Sequence, residues 1–101
     1  MTLVVILTVR RAALEAFRSF ERQAAAVMAR HGGAIERSVV LTPPEGAETL
    51  REVHIVTFPS AEAFAAYRED PALAPLAPLR TASVVNTEVW AGEDGPTYGP
   101  P

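Results

Sequence analysis

The order of strand-like and helix-like segments predicts a single α+β domain with a ferredoxin-like βαββαβ fold and a four-stranded antiparallel sheet. The chain has 101 residues, which is the size of one domain. Four short apolar runs have the pattern of strands, and two longer stretches have the pattern of helices. The helices follow the first and third strands, so both are expected to cover the same face of the sheet.

The first strand and the first helix have the clearest patterns. Residues Leu3–Val9 form a continuous run of β-branched and aliphatic residues, as in a strand that is buried on both faces. An amphipathic helix of about five turns follows. It is expected to end at residues 31–33, where a His-Gly-Gly sequence offers a glycine for the left-handed C′ position. The apolar face of this helix consists of Leu14, Phe17, Phe20, Ala24, Val27 and Met28.

The middle of the chain has the pattern of two strands followed by a capped helix. Ala34–Thr42 and Leu50–Phe58 are the strands, and two prolines and a glycine between them end both periodicities. Ser60 occupies the N-cap position of the second helix, which is expected to run to about Glu69. An Asp-Pro pair at 70–71 ends that helix.

The last third of the chain contains one more strand and a tail. Pro71–Arg80 carries three prolines and predicts a short, irregular turn of helix, and Ser83–Ala91 is the fourth strand. We therefore expect a ferredoxin-like domain over residues 1–92. Residues 93–101 are rich in glycine and proline and are expected to form a flexible tail or an arm in a dimer.

The first strand also predicts a partner. Successive side chains of a strand point to opposite faces of the sheet, and here both sets are apolar. The helices cover only one face, so the other face must be buried by something else. A homodimer that packs sheet against sheet satisfies this requirement. Leu3, Val5 and Leu7 lie on one face, and Val4 and Ile6 lie on the other.

Composition excludes several functions. The net charge is −3, and the arginines form no basic stripe, so nucleic-acid binding is not expected. The absence of lysine excludes a Schiff base, and the absence of cysteine excludes disulfides, thiolate nucleophiles and cysteine-ligated metals. The apolar start at residues 3–7 is too short for a membrane span and lacks the features of a signal peptide. We expect a cytoplasmic protein.

Several short motifs resemble those of a known group of small proteins. They are Phe-x-x-Phe-Glu at 17–21, Met-x-x-His-Gly-Gly at 28–33, Phe-Pro-Ser at 58–60, Tyr67, Asp-Pro at 70–71 and Pro-Leu-Arg at 78–80. In these motifs, and over nearly the whole chain up to about Gly92, the sequence resembles the dimeric α+β barrel superfamily. Within that superfamily it is most similar to the family called domain of unknown function 1330.

The resemblance implies a range of functions. Members of the superfamily include cofactor-independent monooxygenases acting on polyketides, haem-degrading enzymes, muconolactone isomerases and proteins without known activity. Their ligands usually bind between the sheet and the helices or within the barrel. The resemblance therefore implies a homodimer and a site for a small organic molecule, without naming the molecule.

His54 is the candidate catalytic residue. It lies in the middle of the third strand, and histidine is the natural general base near neutral pH. By alternation it shares a face with Phe58, which is expected to pack under the second helix, so His54 should face a cleft on the helix side. The alternative is a structural histidine that is hydrogen-bonded to a neighbour.

Four residues are candidate ligand-binding residues. Tyr67 and Arg80 flank the proline-containing segment, although Arg80 would have a purely structural role if it paired with Asp70. Asn86 and Glu88 share one parity on the fourth strand, and they either line a cleft in the barrel or provide the polarity that protects an edge strand.

No metal or cofactor is expected. The two histidines, His31 and His54, are far apart in the sequence and match no metal-binding spacing. His31 instead follows the first helix, where it is expected to cap the helix C-terminus. Two functions remain open: a small-molecule-binding protein or cofactor-independent enzyme, and a non-catalytic dimeric module.

Overall fold

A computed structural model describes residues 1–100 and contains one antiparallel sheet with the strand order β2-β3-β1-β4. The strands and helices alternate as βαββαβ, which confirms the predicted fold. The strands are β1 (Thr2–Arg10), β2 (Ala34–Leu41), β3 (Thr49–Thr57) and β4 (Val84–Gly92). The helices are α1 (Leu14–Arg30), α2 (Ala61–Arg68) and α3 (Ala77–Ser83), with short 3-10 turns at Arg11–Ala13 and Pro71–Leu76.

Helix α1 ends where the glycine pair predicts. The backbone N–H of Gly32 donates to the Ala29 carbonyl, and the N–H of Gly33 donates to the Met28 carbonyl. Gly32 has a φ of 73°, the left-handed conformation that favours glycine. Gly33 is needed for a different reason, because a Cβ there would lie 2.6 Å from Cγ of Met28 and would also meet the ring of Phe58. This tight turn brings α1 directly onto the sheet.

The helices cover one face of the sheet and leave the other face open. In β3, every second residue from Leu50 to Val56 is buried, whereas the residues between them are exposed or half-buried. Val5 of β1 lies opposite His54, and Leu3 lies opposite Val56. Because paired residues of an antiparallel sheet share a face, the odd-numbered residues at 3–7 of β1 and the even-numbered residues of β3 point toward the helices.

The segment between α2 and β4 is more helical than the sequence suggests. The Ser60 side chain caps α2 by accepting a hydrogen bond from the N–H of Ala63, as predicted. Asp70 caps the 3-10 turn that follows by accepting from the N–H of Ala72. Pro71 and Pro78 each lie in the first turn of their element, the 3-10 turn and α3, where a missing N–H costs nothing, whereas Pro75 lies inside the 3-10 turn.

Asp70 pairs with His31, so the predicted pair with Arg80 is wrong. His31 Nε2 lies 2.8 Å from a carboxylate oxygen of Asp70, and this contact links the end of α1 to the start of the 3-10 turn. The hydrogen bond from His31, followed by the one from Ala72, holds the pKa of Asp70 below its ordinary value. The sequence places Asp70 ten residues from Arg80, but the fold places it beside His31.

The open face of the sheet carries exposed apolar side chains. Trp90 of β4 is 61% exposed, and Val39 and Leu41 of β2 are each 37% exposed. By register they share this face with Val4 and Ile6 of β1. Residues 93–100 form neither helix nor strand. Within residues 1–100, no helix is both long enough and apolar enough to cross a membrane.

Candidate functional site

A pocket of about 450 Å³ lies between the sheet and the helices. The four strands form one side, and α1, α2, the 3-10 turn at Pro71–Leu76 and α3 form the other. Most of its lining is apolar, with polar groups at a few positions, which is the usual composition of a small-molecule site. The apolar lining includes Val5, Leu7, Phe20, Phe64, Leu73 and Val89.

His54 lies in the pocket wall and is held by Glu52. The histidine is 4% exposed, and its Nε2 lies 2.6 Å from Oε2 of Glu52, two residues earlier on the same face of β3. A buried carboxylate requires a hydrogen-bond donor, so we assign the proton to Nε2. The other ring nitrogen, Nδ1, then carries the free lone pair.

Glu21 of α1 faces that second nitrogen. Its Oε2 lies 3.9 Å from Nδ1 of His54, which is too far for a direct hydrogen bond. Burial is the largest influence on Glu21 and raises its pKa. Of the smaller electrostatic influences, those of His54 and Arg80 lower the pKa and that of Glu52 raises it. The pocket therefore contains a carboxyl group that retains its proton to a higher pH than an exposed glutamate does.

Tyr67 and Arg80 also belong to the polar part of the lining, together with Arg68 and Thr87. Burial raises the pKa of the Tyr67 hydroxyl, and the charge of Glu21 raises it further, whereas Arg80 lowers it. Arg80 donates a hydrogen bond of 2.8 Å from its guanidinium group to Oγ1 of Thr87 on β4. Arg80 influences the ionisation of both Glu21 and Tyr67, and Glu21 influences that of Tyr67, so a change in the charge of Arg80 alters the pKa of both groups.

The structure brings three of the five predicted site residues together. His54, Tyr67 and Arg80 all line the pocket. Asn86 and Glu88 do not, because they pair with Thr8 and Ile6 of β1, whose side chains lie on the open face of the sheet. Asn86 and Glu88 therefore lie outside this pocket, to which the fourth strand presents Thr87 instead, and the ligand-binding role of these two residues stays a prediction.

Glu21, Glu52 and Thr87 were missed at the sequence level. Glu52 is two residues before His54, so strand alternation alone would have placed both on one face. Glu21 lies four residues after Phe17 and three before Ala24, which places it next to the apolar face of α1. Thr87 has no comparable signal, because its orientation depends on the register of β4 against β1.

The described residues contain no metal-binding cluster. Within residues 1–100, no group of three or more histidine, aspartate and glutamate side chains is placed to hold a metal ion. Glu52 and Glu21 face opposite nitrogens of His54, so their carboxylates do not converge on one point. The absence of a metal and of a cofactor stays a prediction.

The βαββαβ fold, with its four-stranded antiparallel sheet, matches structures of the dimeric α+β barrel class. Within that class, the chain belongs to the DUF1330 family, a domain of unknown function, whose model matches residues 3–91. No curated protein matches the chain.

Solved structures confirm the fold at low sequence identity. SnoaB, a cofactor-independent oxygenase from Streptomyces nogalater, is 18% identical, with 93% of this chain and 94% of that chain covered and a TM-score of 0.64. RPA0582, a protein of unknown function from Rhodopseudomonas palustris, is 20% identical, with 87% and 78% covered and a TM-score of 0.64. At3g17210 from Arabidopsis thaliana is 16% identical, with 96% and 97% covered and a TM-score of 0.64.

The raised pKa of Glu21 predicts a dependence of stability on pH. The folded protein holds this proton more tightly than the unfolded chain does, so the free energy of unfolding should decrease as the pH rises from 4.5, the ordinary value for glutamate, through the raised pKa. Glu21→Gln has no proton to lose. The wild type should therefore lose stability relative to this variant as the pH rises above 4.5, as measured by urea unfolding.

Glu15→Gln is the matched control, because Glu15 is exposed on the same helix. It should follow the pH trend of the wild type. A constant difference in stability between the wild type and Glu21→Gln over this range would show that Glu21 is not desolvated in the folded protein.

Proposed function

We propose that the protein binds a small organic molecule in the pocket and exchanges a proton with it through Nδ1 of His54. The observation that carries the proposal is the buried pair of Glu52 and His54, with a hydrogen bond of 2.6 Å at the wall of an apolar pocket. This pair orients the imidazole ring and fixes its tautomer, which a general base requires in addition to its basicity.

The neighbouring groups support proton transfer. The 3.9 Å between Nδ1 and Glu21 leave the histidine nitrogen without a direct partner on that side. Burial raises the pKa of Glu21, so this carboxyl group holds its proton more tightly than an exposed glutamate does, which suits it to return a proton to the bound molecule. A proton removed at one atom and returned at another is an isomerisation, and a carbanion formed in the same way can react with oxygen without a cofactor.

The fold offers a weaker argument for the oxygenase alternative. One structure similar to this chain is described as a cofactor-independent oxygenase, and it is 18% identical. Likeness of fold at this identity does not transfer an activity. The isomerase-like and monooxygenase-like alternatives both begin with the removal of a proton from the bound molecule, and His54 is the group proposed to remove it.

A thermal-shift screen of quinones, lactones, aromatic polyketide-like compounds and haem tests whether the pocket binds ligands. Val89 is 49% exposed and lines the pocket, so Val89→Trp should narrow the opening without disturbing the core. Val85→Trp is the matched control on the same strand outside this pocket. Compounds that raise the melting temperature of the wild type and of the control should not raise that of Val89→Trp. Equal shifts in all three proteins would exclude the pocket.

Hydrogen–deuterium exchange into a bound compound, followed by proton NMR, tests the role of His54. A general base typically contributes about 10²- to 10⁴-fold to a rate. His54→Gln should therefore slow the exchange by about a hundredfold or more while the compound still binds. Exchange at the wild-type rate in this variant would remove His54 from the chemistry.

We also propose that the chain forms a homodimer through the open face of the sheet. The support comes from the exposed apolar side chains of this face, above all Trp90, and from a fold family that is typically dimeric. A large aromatic residue is a common anchor of an interface. If the pocket proves to bind nothing, this surface favours the second candidate function, a dimeric module without catalysis.

Light scattering after size-exclusion chromatography tests the dimer. The wild type should elute with twice the chain mass of 10.8 kDa. Trp90→Glu places a charge in the proposed interface and should shift the protein to the monomer at micromolar concentration. Ala26→Glu, on the exposed side of α1, should leave the dimer intact. A monomeric wild type would contradict the proposal.

A further inference from the structure

Two arginines at the edge of the pocket form no ion pair with a carboxylate. Arg68 of α2 and Arg80 of α3 both line the pocket and are both exposed. Within residues 1–100, the ion pairs of side chains are formed by the two histidines and not by these arginines. The arginines lie on separate helices, so the fold, and not their spacing in the sequence, brings both to one pocket.

The contacts that these arginines do make leave their charge uncompensated. Arg80 donates a hydrogen bond to the neutral hydroxyl of Thr87. The guanidinium carbon of Arg68 lies 5.4 Å from the centre of the Phe64 ring, a cation–π contact that orients the side chain without neutralising it. The chain as a whole has more acids than bases, with a net charge of −3. Both guanidinium groups at the pocket therefore keep a positive charge that an anionic ligand can use.

The carboxyl group in the pocket lining does not cancel this charge. Glu21 is the one carboxyl group among the residues that line the pocket. Arg80 acts on it electrostatically, but burial is the stronger influence and favours its neutral form. Tyr67, the other titratable neighbour of Arg80, is also held in its neutral form by burial.

We propose that the natural ligand of the pocket is an amphipathic organic anion, whose acidic group is bound by Arg68 and Arg80 and whose apolar body lies against Phe20, Phe64 and Leu73. This inference rests on the proposed function of the pocket and adds the class of molecule. Guanidinium groups suit this task because their planar N–H donors match the oxygens of a carboxylate or sulfonate. In this orientation the apolar body lies on the helix side of the pocket, opposite the sheet strands that include His54.

Two fluorescent probes that share one aromatic body test the charge preference. Anilinonaphthalene sulfonate is an anion, and phenylnaphthylamine is the same body without the sulfonate. The double variant Arg68→Gln/Arg80→Gln should bind the sulfonate about tenfold more weakly than the wild type, a change of about 1.4 kcal/mol. Its dissociation constant for phenylnaphthylamine should stay unchanged.

Arg18→Gln, on the exposed side of α1, is the matched control for the loss of a positive charge, and it should change neither affinity. Arg68→Gln alone serves if the double variant unfolds, because Arg68 donates no side-chain hydrogen bond within residues 1–100, and it should weaken sulfonate binding selectively. Unchanged binding of the sulfonate, or an equal loss for both probes, would overturn the proposal.

Val89→Trp distinguishes the failure of this inference from the failure of the proposed function. If phenylnaphthylamine binds the wild type and is excluded by Val89→Trp, the pocket is an apolar ligand site. In that case, insensitivity of sulfonate binding to the arginine variants refutes the anion preference alone. If neither probe responds to Val89→Trp, the pocket is not their site, and both proposals fail together.

Discussion

Glu52 and His54 occupy consecutive inward positions of β3, and the hydrogen bond between them is buried in the wall of the pocket. A buried carboxylate without a hydrogen-bond donor would destabilise the fold by several kcal/mol, because the effective dielectric constant of a protein interior is only about 4–20. His54 therefore stabilises the fold in addition to lining the pocket. The same bond leaves Nδ1 facing the pocket and Glu21. The chemistry proposed for the pocket depends on this one contact.

Because the helices cover only one face of the sheet, each strand residue faces either the helix side, where the pocket lies, or the open face. Thr87 and Glu88 are neighbours in β4, yet one contacts Arg80 at the pocket and the other lies on the open face. A shift of one residue in the register of β4 would exchange the two faces. Because side chains alternate between the two faces of the sheet, the pocket and the proposed interface lie on opposite faces. Ligand binding therefore does not compete with dimerisation for the same surface.

The elements with local signals were predictable from the sequence. The glycine pair after α1, the Ser60 cap and the Asp-Pro pair at 70–71 each act over a few residues, and all three are confirmed. Contacts between distant segments were not predictable. The parity of Asn86 relative to β1 depends on an irregularity in the β1–β4 pairing after Thr8, and the partner of Asp70 depends on how α1 meets the 3-10 turn.

Nitrogen-15 NMR of the imidazole rings tests the central claim most directly. The chain has two histidines, so His54→Gln assigns the signals of both. With Glu52 accepting from Nε2, the neutral His54 ring should show a protonated Nε2 and an unprotonated Nδ1. The tautomer with the proton on Nδ1 would contradict this account, because the lone pair would then face Glu52 and the pocket would lose its base.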